Sequence, residues 1–366
     1  MKHNSDLLIK AIGTTKVLFF LIVGQLTNPL SAGDWNWQQE FPWVYNNDES
    51  DWHYWRAGTD GDFYLWKNKL KAWYQFDSTT KKWVSLSSST SSSSTSQAQT
   101  GTFNLALSHD GLTREYILYV PSSYTGSTQV PLLFNFHGFS GTSSGQMNDS
   151  DMRSLSETET FILVYPQGSL LGGYSHWNAA VSGGSNKSTA DDVGFVETMI
   201  SSISSSYQVD STRIYACGYS NGGFFSYFLA GHRSNLVAAV GSVSGTMLEG
   251  NPDPANPVPT INLHGTSDSV VPYTGGTSYT AIPTVAFYWA DKNGADATPV
   301  VTNLTSGSAL VEKSVYSDSN GTAWVEHYKI NGGQHVWFDL DLGGSGTNDL
   351  IWNFFSKHGL NGPLSP

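Results

Sequence analysis

Cysteine is almost missing from this chain. Cys217 is the only one in 366 residues, so no internal disulfide can form and the fold must hold through hydrophobic burial. Charge is scarce too: Asp, Glu, Lys and Arg make up 13% of the sequence, about half the usual share. The net charge is −12, and removing residues 1–32 takes away three lysines and one aspartate to leave −14. Such a balance excludes a phosphate-binding face of any size, so nucleic acid is not expected as a partner. After residue 32 no segment approaches the roughly 18 consecutive apolar residues of a membrane helix, and stable membrane insertion is not expected. The sequence has no glycine loop ending in a phosphate-reaching lysine, no paired-cysteine spacing and no His-Glu-x-x-His run. No cofactor and no metal are therefore expected. Asp191-Asp192 reads as carboxylates at a helix N-terminus beginning near Val193, where they satisfy free N–H groups. Cys217 lies in an apolar run and reads as core packing.

What is present divides the chain. Lys2, Lys10 and Lys16 precede the apolar run Val17–Gly24, and Leu30-Ser31-Ala32 offers a small-residue cleavage site, so residues 1–32 read as a signal peptide and the chain as secreted, extracellular or periplasmic. Residues 87–100 are almost all Ser, Thr, Gln and Ala, with nothing to bury, and read as a tether. Between these, residues 33–86 hold eight of the thirteen tryptophans. Short aromatic runs, Phe41–Tyr45, Trp52–Trp55, Phe63–Trp66, Lys71–Phe76 and Trp83-Val84, alternate with turn formers, which predicts a meander of antiparallel strands. The rings can form its core, or one face can present them to an insoluble polymer or sugar chain. Residues 101–366 are long enough for one domain with a full core.

Within that domain, Gly218-Tyr219-Ser220-Asn221-Gly222 stands between the apolar run Ile214–Cys217 and the helix-like run Phe224–Ala230. A strand turning sharply into a helix needs small residues two before and two after its apex, and it leaves a serine hydroxyl standing clear at the sheet edge. Serine is a poor nucleophile at its free pKa, so an imidazole must take its proton and a carboxylate must orient that imidazole. Asp268 follows the strand-like Pro257–Leu263 and its His264-Gly265 turn. His335 follows the strand-like Ala323–Ile330 and the loop Asn331-Gly332-Gly333-Gln334. Serine, acid and base in that order predict a catalytic Ser220, Asp268 and His335. A second apolar strand, Val130–Phe136, breaks into His137-Gly138-Phe139, and the backbone N–H groups of Phe139 and Asn221 are the expected oxyanion donors. His137 itself reads as a strand-end histidine with a structural hydrogen bond.

The run Val209–Gly223 resembles the elbow region of secreted esterases of the poly(3-hydroxybutyrate) depolymerase family, which includes feruloyl and acetylxylan esterase relatives. Asp191–Phe195, Val243–Met247, His264–Asp268 with Val271–Tyr273, and Gly332–Trp337 are similar to the same family in the same order. The resemblance spans about residues 101–358. It implies an α/β fold of the α/β-hydrolase type, a mostly parallel sheet flanked by helices, here with a small aromatic-rich antiparallel β module in front. It also implies hydrolysis of a polymeric or small ester through Ser220, Asp268 and His335, with a polyester such as poly(3-hydroxybutyrate) as the first substrate and feruloylated or acetylated plant polysaccharide or an aromatic polyester as alternatives. A polymer-binding protein with an idle hydrolase domain is the non-enzyme alternative. Trp177 and Trp337 lie within a few residues of matched segments and are the expected substrate-binding walls. Family members often carry cysteines near the position of Ala295, and this chain does not. A monomer is expected.

Overall fold

The structure, a computed structural model, describes six strands between residues 35 and 85 and residues 99–364, apart from 182–183, 185–186, 249 and 251–252. The signal peptide expected at 1–32 and most of the tether, 87–98, lie outside the described residues. The chain divides into two units, Met1–Thr95 and Ser96–Pro366.

In the first unit the strands β1 (Trp35–Trp37), β2 (Trp43–Asn46), β3 (Asp51–Ala57), β4 (Phe63–Lys67), β5 (Ala72–Asp77) and β6 (Lys82–Ser85) pair in sequence order. All pairs are antiparallel, as the alternation of aromatic runs and turn formers predicts. The cross-strand register sets Trp43 opposite Tyr54, Tyr54 opposite Trp66, and Trp66 opposite Trp73. His53, Leu65 and Phe76 are buried, and the Phe76 ring meets that of Trp83 at 5.3 Å.

The second unit is built on a ten-stranded sheet. Its middle consists of β9 (Val130–Phe136), β10 (Ile162–Pro166), β13 (Val209–Tyr219), β14 (Ala239–Val243), β15 (Thr260–Gly265) and β18 (Ala323–Ile330). These six run parallel in the order β10-β9-β13-β14-β15-β18. β7 (Gly101–His109) and β8 (Leu112–Val120) close one edge as an antiparallel pair, and β16 (Val300–Ser306) and β17 (Ala309–Ser317) close the other. A small hairpin, β11 (Ser169–Leu171) and β12 (Tyr174–His176), follows β10.

Parallel strands covered on both faces are apolar along their length, and each residue of β9 and β10 is buried. Alternate side chains feed two cores. Leu132, Phe134, Ile162, Val164 and Ala216 join one with α3 (Asp192–Ser204), α4 (Asn221–His232) and α5 (Ile282–Lys292). Leu133, Leu163, Tyr215, Cys217 and Ile261 join the other with α1 (Ser143–Asp149), α2 (Arg153–Glu159) and α6 (Thr347–Phe355). Cys217 is fully buried there, and burial pushes its thiol pKa far up. Asp191 caps α3 by accepting the Gly194 N–H, while Asp192 is buried against Arg114 at 2.7 Å. Because the six central strands are parallel, the loops after β9, β13, β15 and β18 all emerge on one rim.

Candidate active site

Ser220 sits between the end of β13 and the start of α4 with φ +51°, a strained value for a residue with a side chain. The elbow closes only because its flanks lack side chains. A Cβ at position 218 would lie 2.5 Å from the carbonyl carbon of Gly222, and one at 222 would lie 2.2 Å from the Phe136 oxygen.

His335 and Asp268 converge on this apex. His335 Nδ1–H donates to Asp268 Oδ2 at 2.7 Å, which leaves Nε2 free to accept the Ser220 Oγ–H at 3.0 Å. Asp268 Oδ1 accepts the Val270 and Val271 N–H groups, and the Nε2 of buried His264 stands 3.4 Å from Oδ2. Burial raises the Asp268 pKa, but hydrogen bonds from His264, His335 and Val271 outweigh it and bring the pKa down to about 2. The carboxylate therefore stays ionised beside the imidazole. The two loops can meet because they touch through glycines: a Cβ at Gly265 would fall 2.2 Å from the Gly333 oxygen, and Ser267 N–H donates to that oxygen.

Two further side chains pin the histidine loop. Tyr219 O–H donates to the His335 carbonyl at 2.8 Å, and Ser244, itself at φ +52°, donates its hydroxyl to the Val336 carbonyl at 2.8 Å. Sequence reasoning missed both. Tyr219 was inside the elbow and Ser244 inside a matched segment, but nothing local to either points 90 or more residues down the chain.

The loop after β9 lies directly against the elbow. A Cβ at Gly138 would be 2.9 Å from the Tyr219 ring and 3.3 Å from the Ser220 Cβ. Among the described residues, neither the Phe139 nor the Asn221 amide donates a hydrogen bond, and Ser220 does not cap α4 with its side chain. His137 is buried beneath. Its Nδ1–H donates to the Gly138 carbonyl at 2.7 Å and its Nε2 accepts the Gly168 N–H at 2.9 Å, so both nitrogens hold main chain. Burial lowers its pKa to about 4.

Trp177 is corrected. It has no exposed surface and packs on Phe136, Phe225 and the His137 ring, so it belongs to the support under the elbow and not to the wall of an open pocket. Trp337 is half-buried, and its indole N–H donates to Asn348 Oδ1 of α6. The exposed aromatics by the loop after β9 are instead Phe139 and Tyr174, whose rings stand 5.5 Å apart.

Residues 111–337 match the Esterase family, described as "Putative esterase". The chain belongs to this family. The esterase is 29% identical over 261 residues to feruloyl esterase B of Piromyces equi, covering 68% of this chain and 46% of that one. It is 26% identical over 255 residues to the bifunctional acetylxylan esterase/xylanase of Neocallimastix patriciarum, covering 70% and 35%. With feruloyl esterase C of Emericella nidulans the identity is 28% over 247 residues, covering 66% and 83%. The esterase thus spans less than half the length of the first two relatives. Among solved structures, an acetyl xylan esterase from Aspergillus awamori superposes with a TM-score of 0.53 at 17% identity, covering 70% of this chain and 99% of that one, which bears on the fold. The second unit has the α/β-hydrolase architecture. Among its described residues no helix is long and apolar enough to cross a membrane.

Proposed function

We propose that this esterase is a secreted hydrolase of esters carried on insoluble polymers, working through an acyl-enzyme on Ser220. The observation that carries the reading is the continuous Asp268–His335–Ser220 chain of hydrogen bonds at 2.7 and 3.0 Å. Ser220 Oγ attacks the ester carbonyl carbon while His335 Nε2 takes its proton. The amides of Phe139 and Asn221 hold the developing oxyanion. The tetrahedral intermediate collapses, the C–O bond to the alcohol breaks, and His335 returns the proton to the leaving oxygen. Water then attacks the acyl-enzyme with His335 again as base, releasing the acid and restoring Ser220. Asp268 keeps the imidazole in the tautomer that each step needs.

The relatives' printed names favour feruloyl or acetyl esters of plant polysaccharide as the substrate. A second reading, a polyester such as poly(3-hydroxybutyrate), is favoured by the apolar side chains exposed near the triad and oxyanion loops, Phe139, Leu170, Tyr174, Val270 and Val336. Residues 33–86, with tryptophans in one cross-strand row, would anchor the enzyme to the polymer. A fluorophosphonate probe tests the chemistry: it should label Ser220 in the parent and fail on Ser220→Ala, and an unlabelled, folded parent would reject the mechanism. Release rates from methyl ferulate, acetylated xylan and polyhydroxybutyrate film under one set of conditions rank the substrates.

A further inference from the structure

We infer that the segment Ser175–Trp177 is a crossbar that sets the spacing of the two oxyanion amides, with the Asn221 side chain and the Ser175 hydroxyl as positioning residues. This rests on the proposed serine mechanism. The segment is bonded to both halves of the hole. On the β9 side, the Ser140 N–H donates to the Ser175 carbonyl at 2.7 Å, the Ser175 hydroxyl donates to the Gly141 carbonyl, and the Trp177 indole N–H donates to the His137 carbonyl at 3.0 Å. Phe139 is thus held between two fastened points. On the elbow side, the Trp177 N–H donates to Asn221 Oδ1 at 2.7 Å and Asn221 Nδ2–H donates to the Trp177 carbonyl at 3.1 Å.

The choice of residue at 221 speaks for this role. A polar amide 2% exposed carries a burial cost unless both of its ends are bonded. Here both ends are spent on a loop 44 residues away, and none on the helix that Asn221 opens. Among the described residues no side chain caps the first turn of α4, and the Asn221 backbone amide is fixed by its own side chain. An oxyanion donor acts only when it is already aimed at the position that the charge will occupy. Because one short piece of chain references both donors, a shift at either end moves the distance between them.

The experiment uses the full chain, with 4-nitrophenyl acetate as substrate, phenylboronic acid as tetrahedral analogue on Ser220, and fluorophosphonate titration to count active sites. In Asn221→Ala the donor is displaced but not removed, so kcat per titrated site should fall at least about tenfold with KM little changed, short of the ~10²–10³ seen when such a donor is deleted. The boronate inhibition constant should rise by the same factor. Ser175→Ala, which removes one bond at the other end with little change in packing, should lower kcat about threefold, and Trp177→Phe, which removes the indole bond to His137 together with part of the buried ring, should lower it at least as much. The Asn221→Ala/Ser175→Ala pair should lose less than the product of its parts, as expected for residues acting through one element. If Asn221→Ala does not fold, the two variants at the other end decide. Unchanged kcat and boronate binding per site, with only a lower melting temperature, would show the segment to be mere scaffolding and overturn the inference, as would fully independent losses. A parent enzyme that neither hydrolyses the ester nor binds boronate would instead defeat the serine mechanism.

Discussion

Gly265→Ala probes the seam between the loops that carry Asp268 and His335 without touching either of these proposed catalytic side chains. The new Cβ would lie 2.2 Å from the Gly333 oxygen and 2.3 Å from its carbonyl carbon, where ordinary contact begins near 3.4 Å. Both clashing atoms are main chain, so no side chain can rotate away, and the loops must part by about 1.2 Å. Gly265 is three residues from Asp268 and Gly333 is two from His335, so most of that separation reaches the 2.7 Å bond between them. Misplacement by about 1 Å typically costs ~10²-fold, which is about 2.7 kcal/mol of transition-state stabilisation. The measurement is kcat/KM on a soluble acetyl ester, normalised to titrated sites, with a thermal melt to show that the fold survives. Gly276→Ala is the control, since its Cβ would meet nothing within 4 Å. A Gly265→Ala enzyme that hydrolyses at the parent rate would refute the claim that this contact sets the triad.

Asp268→Asn should retain the fold and lose about 10⁴-fold in kcat, because the amide no longer stabilises the imidazolium and favours the wrong tautomer; a loss under tenfold in a pre-steady-state assay would reject its role. Stability should decline as pH falls from about 6.5 to 4. Burial lowers the folded-state pKa of His137 and His358 to about 4 and of His327 to about 3, so in this window the unfolded chain binds more protons. Each site removes on the order of 3 kcal/mol once fully titrated, and equal denaturant midpoints at pH 7 and 4.5 would contradict this. Asp268 acts the same way but lower, losing its contribution as pH falls from about 3.8 towards 2. Deleting residues 33–100 should spare a soluble short-chain ester and slow release from particles; equal loss on both would reject a docking role for the module.

The elbow was legible because its geometry forbids side chains at fixed offsets, and that prohibition is written as glycine at 218 and 222. Asp268 and His335 were legible because each follows a buried strand that ends in a glycine turn. The aromatic meander was legible from period-two alternation broken by turn formers. Trp177 was not: neighbouring motifs fix where a residue lies along the chain, but the direction of its ring depends on Phe136 and Phe225, 41 and 48 residues away in sequence. The same limit hid Tyr219, Ser244 and the Asn221 clasp, whose partners lie between 44 and 116 positions away.

That separation has a kinetic consequence. Ser220 precedes His335 by 115 positions, and β18, which delivers the histidine, must dock beside β15 before the relay exists. Contacts this remote carry a high loop-closure cost and form late. An intermediate with β9, β13 and β14 already assembled would have its elbow strained and its core dry, yet would cleave nothing. Recovery of turnover after denaturation therefore reports closure of the last parallel strand, and should lag the return of helical circular dichroism.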